Sequence, residues 1–108
     1  MDEQAPKPPQ AYEDFVARFP KLEHAWKLIG DAGAEGPLDN KTARLVKLAI
    51  AIGALRDGAV RANVRKALAT GISKAEVEQV ISLAPGTIGL PATVAVHSWI
   101  KELLDEAT

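Results

Sequence analysis

The sequence predicts an all-α fold, a single array of about six helices. Three observations lead there. Apolar residues recur three and four positions apart in one segment after another, which is the spacing of a helix face. Between those segments stand helix start and stop signals: prolines at first turns, glycines after last turns, and a Ser-x-x-Glu box. No segment alternates apolar and polar residues as a half-buried strand does, and no internal repeat is present.

Residues 1–9 (MDEQAPKPP) are polar and dense in proline. They read as a flexible tail, or as an arm that docks on a neighbour. Residues 10–108 read as the folded domain. A short first helix spans Gln10 to Phe19, with Tyr12, Phe15, Val16 and Phe19 on one face. Pro20 fits the first turn of a second helix, along which Leu22, Ala25, Trp26 and Ile29 keep helical spacing. Gly30, Gly33, Gly36 and Pro37 are expected to end it and form a loop.

Asp39 is a suitable N-cap for a third helix running to about Leu55. Its segment Leu48 to Leu55 (LAIAIGAL) is apolar on every side, so this helix is expected to be central and buried all round. Asp57 and Gly58 break the chain. A fourth helix follows, with Val60, Val64, Ala67 and Leu68 inward and Arg61, Arg65 and Lys66 outward. Gly71 closes it as the residue after the C-cap. Ser73 and Glu76 form a capping box, with Ile72 and Val77 placed for a hydrophobic staple. The fifth helix carries Val77, Val80, Ile81 and Ala84 and is expected to stop at Pro85-Gly86. Pro91 opens the last helix, with Ala92, Val96, Trp99, Ile100 and Leu103 in register.

Composition removes several function classes. The chain has no cysteine, so disulfides, thiolate nucleophiles and thiolate metal sites are out of reach. His24 and His97 lie far from any helical metal-ligand spacing, and no metal or cofactor is expected. A net charge of −1 provides no field for nucleic acid, and the stripe Arg61, Arg65, Lys66 is too small for such a footprint. No apolar run reaches a membrane span, and the expected location is the cytoplasm. Aromatics are only 5% of residues, so the core must be built from Ala, Leu, Ile and Val. Trp26 and Trp99 then read as core or interface anchors. His97 reads as a partly buried histidine bordering the core or a subunit interface, and His24 as exposed.

The stretch LDNKTARLVKLAIAIGALRDGAVRANVRKALATGISKAEVEQVI, followed by GLPA, resembles the alkylhydroperoxidase D / carboxymuconolactone decarboxylase family. The resemblance rests on an ordered set. It comprises Leu38-Asp39, Lys41-Thr42, a long apolar helix, Val64-Arg65-x-Ala67-Leu68-x-x-Gly71, the Ser73/Glu76 box and Gly89-x-Pro91-Ala92. It implies an AhpD-like helical protomer that assembles as a homotrimer or a hexamer. In the thiol-dependent branch of the family a Cys-x-x-Cys is followed four residues later by His. Those places are Arg56, Ala59 and Asn63 here, and the carboxylate of the same proton relay falls near Arg44. In the decarboxylase branch the second of these places is acidic and the histidine is kept.

A peroxidase needs a thiolate to attack the O–O bond, and this chain has none. A lactone decarboxylase needs a group that gives or takes a proton, and Asn63 does not titrate while Ala59 is apolar. Arg44, Arg56, Ala59 and Asn63 are therefore the candidate ligand-binding residues, suited to holding an anion. Arg44 and Arg56 lie twelve residues apart, so one helix does not bring them to a common face unless it ends and turns back. The simpler reading makes each a solvated surface charge. The leading expectation is a homo-oligomer without thiol peroxidase activity that binds a small anionic metabolite or acts as a scaffold. The alternative is a lyase acting on a small carboxylated lactone, with Arg56, Asn63 and His97 as the candidate catalytic residues. By homology alone, an alkylhydroperoxidase-like antioxidant is the third reading.

Overall fold

The computed structural model describes residues 9–107, so all of the expected tail except Pro9 lies outside them. The described chain is helical, with no strand. In order the helices are α1 (Gln10–Arg18), α2 (Pro20–Gly33), α3 (Asn40–Gly53), α4 (Asp57–Ala69), α5 (Lys74–Ser82), α6 (Pro85–Ile88) and α7 (Leu90–Glu106). Six match the helices expected from periodicity, and the one-turn α6 is additional. Pro85 does not stop a helix; it occupies the first turn of α6, where its missing N–H costs nothing. Likewise Gly30 does not end α2, which continues to Gly33. The described residues divide into two compact units at Asn40/Lys41.

In the first unit, α1 and α2 are joined by the single residue Phe19. The Phe15 and Phe19 rings lie 5.0 Å apart, and the Arg18 guanidinium sits 5.0 Å over the Phe19 ring. Val16 is buried, and α2 buries no residue at all. Trp26 is 61% exposed, so it is not a core anchor.

The second unit has an entirely aliphatic core. Leu48, Ala51 and Ile52 of α3 meet Val60, Val64 and Ala67 of α4. Ile72 and, on α5, Val77 and Ile81 join them, with Val96, Ile100 and Leu104 of α7. Helix α7 packs against α4, α5 and α6. Trp99 and Leu103 are half-buried against this core. Each fully buried aliphatic side chain contributes roughly 1.5–3 kcal/mol of transfer free energy. The one buried polar side chain among the described residues, Thr93, donates its hydroxyl hydrogen to Gly89 O at 2.8 Å, so it is not left unsatisfied.

Helix α3 departs from the expectation of burial all round. Val46 and Ile50 on its outer side are 42% and 65% exposed. The apolar sequence demanded cover, but this unit supplies it on one flank only.

Two abrupt stops set the geometry. After α4, Ile72 N–H bonds Ala67 O and Gly71 N–H bonds Leu68 O, a Schellman ending with Gly71 at φ +95°. After α3 the same pattern recurs, with Arg56 N–H to Ala51 O and Leu55 N–H to Ile52 O. Here the left-handed position is taken by Leu55 at φ +54°, where a β-carbon is costly. Gly89, at φ +88° and ψ 155°, links α6 to α7. This backbone region is essentially reserved for glycine, which gives Gly89-x-Pro91-Ala92 a physical reason. A β-carbon there meets only Pro91 Cδ at 3.9 Å, so conformation and not space excludes it. Gly89→Ala is accordingly expected to destabilise the fold by about 1–3 kcal/mol, and Leu55→Gly to stabilise it by up to about 1 kcal/mol. Urea denaturation of the two variants checks both signs.

Candidate functional site

The stop at Leu55 returns the chain so that α3 and α4 face one another. Across that seam Arg44 Nη1 donates to Asn63 Oδ1 at 3.4 Å, a long contact between half-buried groups. Asn63 Nδ2 in turn donates to Ala59 O at 2.8 Å. Three of the four candidate ligand-binding residues thus form one connected chain. Ala59 takes part through its carbonyl and not its side chain.

One turn further along each helix stand Lys47 and Lys66. The Lys66 ammonium is held below the ordinary lysine range, first by partial desolvation and then by Arg44, Lys47 and Arg65 nearby. Among the described residues no ion pair joins any of these four cations to a carboxylate. Like charges gathered this way repel, and among the described residues no paired carboxylate offsets them. The sequence offered Arg65 and Lys66 as an outer stripe; their spacing from Arg44 and Lys47 on a separate helix was not readable.

The remaining candidates lie elsewhere. Arg56 is exposed at the N-cap of α4. His97 is exposed on α7, not partly buried, and shares a face with the Lys101–Asp105 pair, whose ends are 2.8 Å apart. His24 is exposed, as expected, and lines a 360 Å³ depression together with Tyr12, Pro20, Glu23, Trp26 and Lys27. Arg61 is taken up by Asp57 at 2.5 Å.

On the opposite flank of α3 is a groove of about 560 Å³, between α3, α5 and α6. Leu45, Val46, Ala49, Ile52, Val80, Leu83 and Ile88 form most of its wall, with Thr42, Glu76, Gln79 and Thr87 as its polar members. Sequence reasoning missed it, because it exists only once three helices are assembled. Its carboxylate is fully engaged. Glu76 Oε1 accepts from Ser73 N–H at 2.9 Å and Oε2 from Lys41 Nζ at 2.5 Å. Ser73 Oγ accepts from Glu76 N–H at 3.1 Å, completing the capping box. These partners, Lys41 first, lower the Glu76 pKa. The group is therefore an ionised structural clamp between α3 and α5, and not a proton donor.

The α3–α4 seam, the Gly71 ending, the Ser73/Glu76 box and the Gly89 link follow one another along the chain. The chain matches the carboxymuconolactone decarboxylase family over residues 20–102. The chain belongs to that family. The match extends the recognisable region upstream from Leu38 to include α2. No curated protein and no solved structure matches it. Within the matched region, Arg44 and Asn63 are in hydrogen-bond contact across the α3–α4 seam. No cysteine is present, no cluster among the described residues suits a metal ion, and no described helix is long and apolar enough to cross a membrane.

Because the Glu76 pKa is depressed in the folded chain, its stabilisation is complete above the unfolded carboxylate value of about 4.3. It is lost as the pH falls through the lower folded value. Glu76→Gln is expected to flatten that acid-side loss, and urea midpoints measured across the acid range test it.

Proposed function

We propose that this carboxymuconolactone decarboxylase-family protein is a homo-oligomeric binder of a small anionic metabolite, without thiol peroxidase activity. The binding residues are Arg44 and Asn63, with Lys47 and Lys66 completing the charge. The supporting observation is the cluster of four cations around the α3–α4 seam, with no carboxylate paired to them among the described residues. A bound anion offsets their mutual repulsion, and a guanidinium beside a carboxamide offers directed donors to a carboxylate or phosphate oxygen. The proposed assembly is the trimer or hexamer that the family resemblance implies.

The lyase reading needs an acid or base within reach of the anion. Arg44, Asn63 and the Ala59 carbonyl provide none, His97 is exposed on α7, and the one group there with a shifted pKa, Lys66, is an exposed ammonium that acts first as a charge for the anion. The binding reading is therefore preferred over catalysis at this seam.

Titration of the labelled protein with inorganic phosphate and, separately, with succinate is expected to give saturable NMR shifts at Asn63 and Lys66. Arg44→Gln weakens that binding roughly tenfold or more, as loss of a charge-assisted bond requires. Shifts that never saturate with either anion remove the proposal. The purified chain is also expected to show no thiol-dependent peroxide turnover, and measurable turnover overturns the cysteine argument.

A further inference from the structure

We infer that the α3–α4 seam captures the anion of a small 2-oxo acid covalently, through a reversible imine between Lys66 Nζ and the carbonyl next to the carboxylate. This rests on the anion-binding reading above and names the chemical class of the guest. The Arg44–Asn63 contact, at 3.4 Å, sets the place, and every residue involved belongs to the compact unit that begins at Lys41. Lys47 lies three residues beyond Arg44, and Lys66 three beyond Asn63, so each shares a helix face with one member of the contact. Helical side chains lean toward the N-terminus of their own helix. Lys66 therefore leans back over the turn that carries Asn63, and Lys47 over the turn that carries Arg44. Two amines thus converge on one guanidinium and one carboxamide.

Partial desolvation first, and then the charges of Arg44, Lys47 and Arg65, favour the neutral form of Lys66. The neutral amine is the nucleophile, and neighbouring cations are one way a lysine is activated toward carbonyl compounds. Lys27, Lys41 and Lys101 are placed oppositely. They face the carboxylates of Asp31, Glu76 and Asp105, which favour the ammonium. A 2-oxo acid carries its electrophilic carbon one bond from its carboxylate. With that carboxylate on Arg44 and Asn63, the carbonyl falls within the sweep of the flexible four-carbon Lys66 stem, rooted about 4.5 Å of helix rise beyond Asn63. The Lys66 nitrogen adds to the carbonyl carbon, and the displaced π electron pair goes to oxygen, which takes the proton released by nitrogen. A second proton lets that oxygen leave as water, breaking the C–O bond and leaving C=N. Amine and ketone become imine and water, with no change of oxidation state and no further reactant. The seam holds no other acid or base to carry the imine onward, so this is capture and not turnover.

Incubating the full chain with pyruvate and sodium cyanoborohydride fixes any imine as a carboxyethyl group on the lysine nitrogen, which peptide mass spectrometry locates. The expected result is an adduct at Lys66 well ahead of Lys74 and Lys101, which are exposed lysines on other helices. Acetone, a ketone without a carboxylate, is expected to show no preference for Lys66. Arg44→Gln is expected to lower the Lys66 adduct roughly tenfold or more. Lys66→Arg, which keeps a cation, is expected to abolish it. In both variants the Val64 and Ile100 methyl signals of the aliphatic core check that the fold persists. Equal labelling of all lysines, a Lys66 adduct untouched by Arg44→Gln in a folded variant, or the same Lys66 preference with acetone each overturns the inference. Saturable shifts with inorganic phosphate and no Lys66 adduct with pyruvate also overturn it, while leaving the anion-binding reading standing. Shifts that saturate with no anion, pyruvate included, remove both.

Discussion

The structure depends on a core that contains no aromatic side chain. Buried area must then come from many small aliphatic groups, and such groups are useful only if helix backbones approach closely. Helix α7 meets this demand with Val96, Ile100 and Leu104, against which α4 sets Val60, Val64 and Ala67. The connections are correspondingly tight. Two Schellman endings, at Leu55 and Gly71, reverse the chain within a few residues, and Gly89 reorients it again between α6 and α7.

The same tight reversals create the candidate site. Arg44 and Asn63 are nineteen residues apart, and only the Leu55 turn makes them neighbours. Left-handed backbone at a leucine is a local cost tolerated because the surrounding hydrogen bonds fix it. On the other side of α3, the Lys41–Glu76–Ser73 network ties α3 to α5 and frames the groove. One helix thus has a polar seam on one flank and an apolar trough on the other.

Much of the fold was legible because local signals and tertiary needs agreed. Ser73 and Glu76 form the capping box that their spacing required, and Gly71 terminates α4. The inward stripe of α4 is buried at Val60, Val64 and Ala67. The failures have physical causes. An all-apolar stretch such as Leu48 to Leu55 reports that burial is needed, not whether the same unit supplies it, and so Ile50 is exposed. Pro85 was ambiguous because proline ends one helix and begins another equally well. Asn63 was found from its family position, whereas Lys47 and Lys66 were not, because charge on an amphipathic helix reads as solvation until the opposing helix is placed. His97 kept helical register near apolar residues but falls on the outward face of α7.

The Arg44–Asn63 contact has a further consequence. A relay of carboxylate, imidazole and thiol changes its protonation within the range where cells adjust pH. A guanidinium and a carboxamide do not. The adjustable charge beside this pair is the Lys66 ammonium, held below the ordinary lysine range, so pH dependence of anion occupancy at the proposed site reports Lys66 together with the ionisation of the guest.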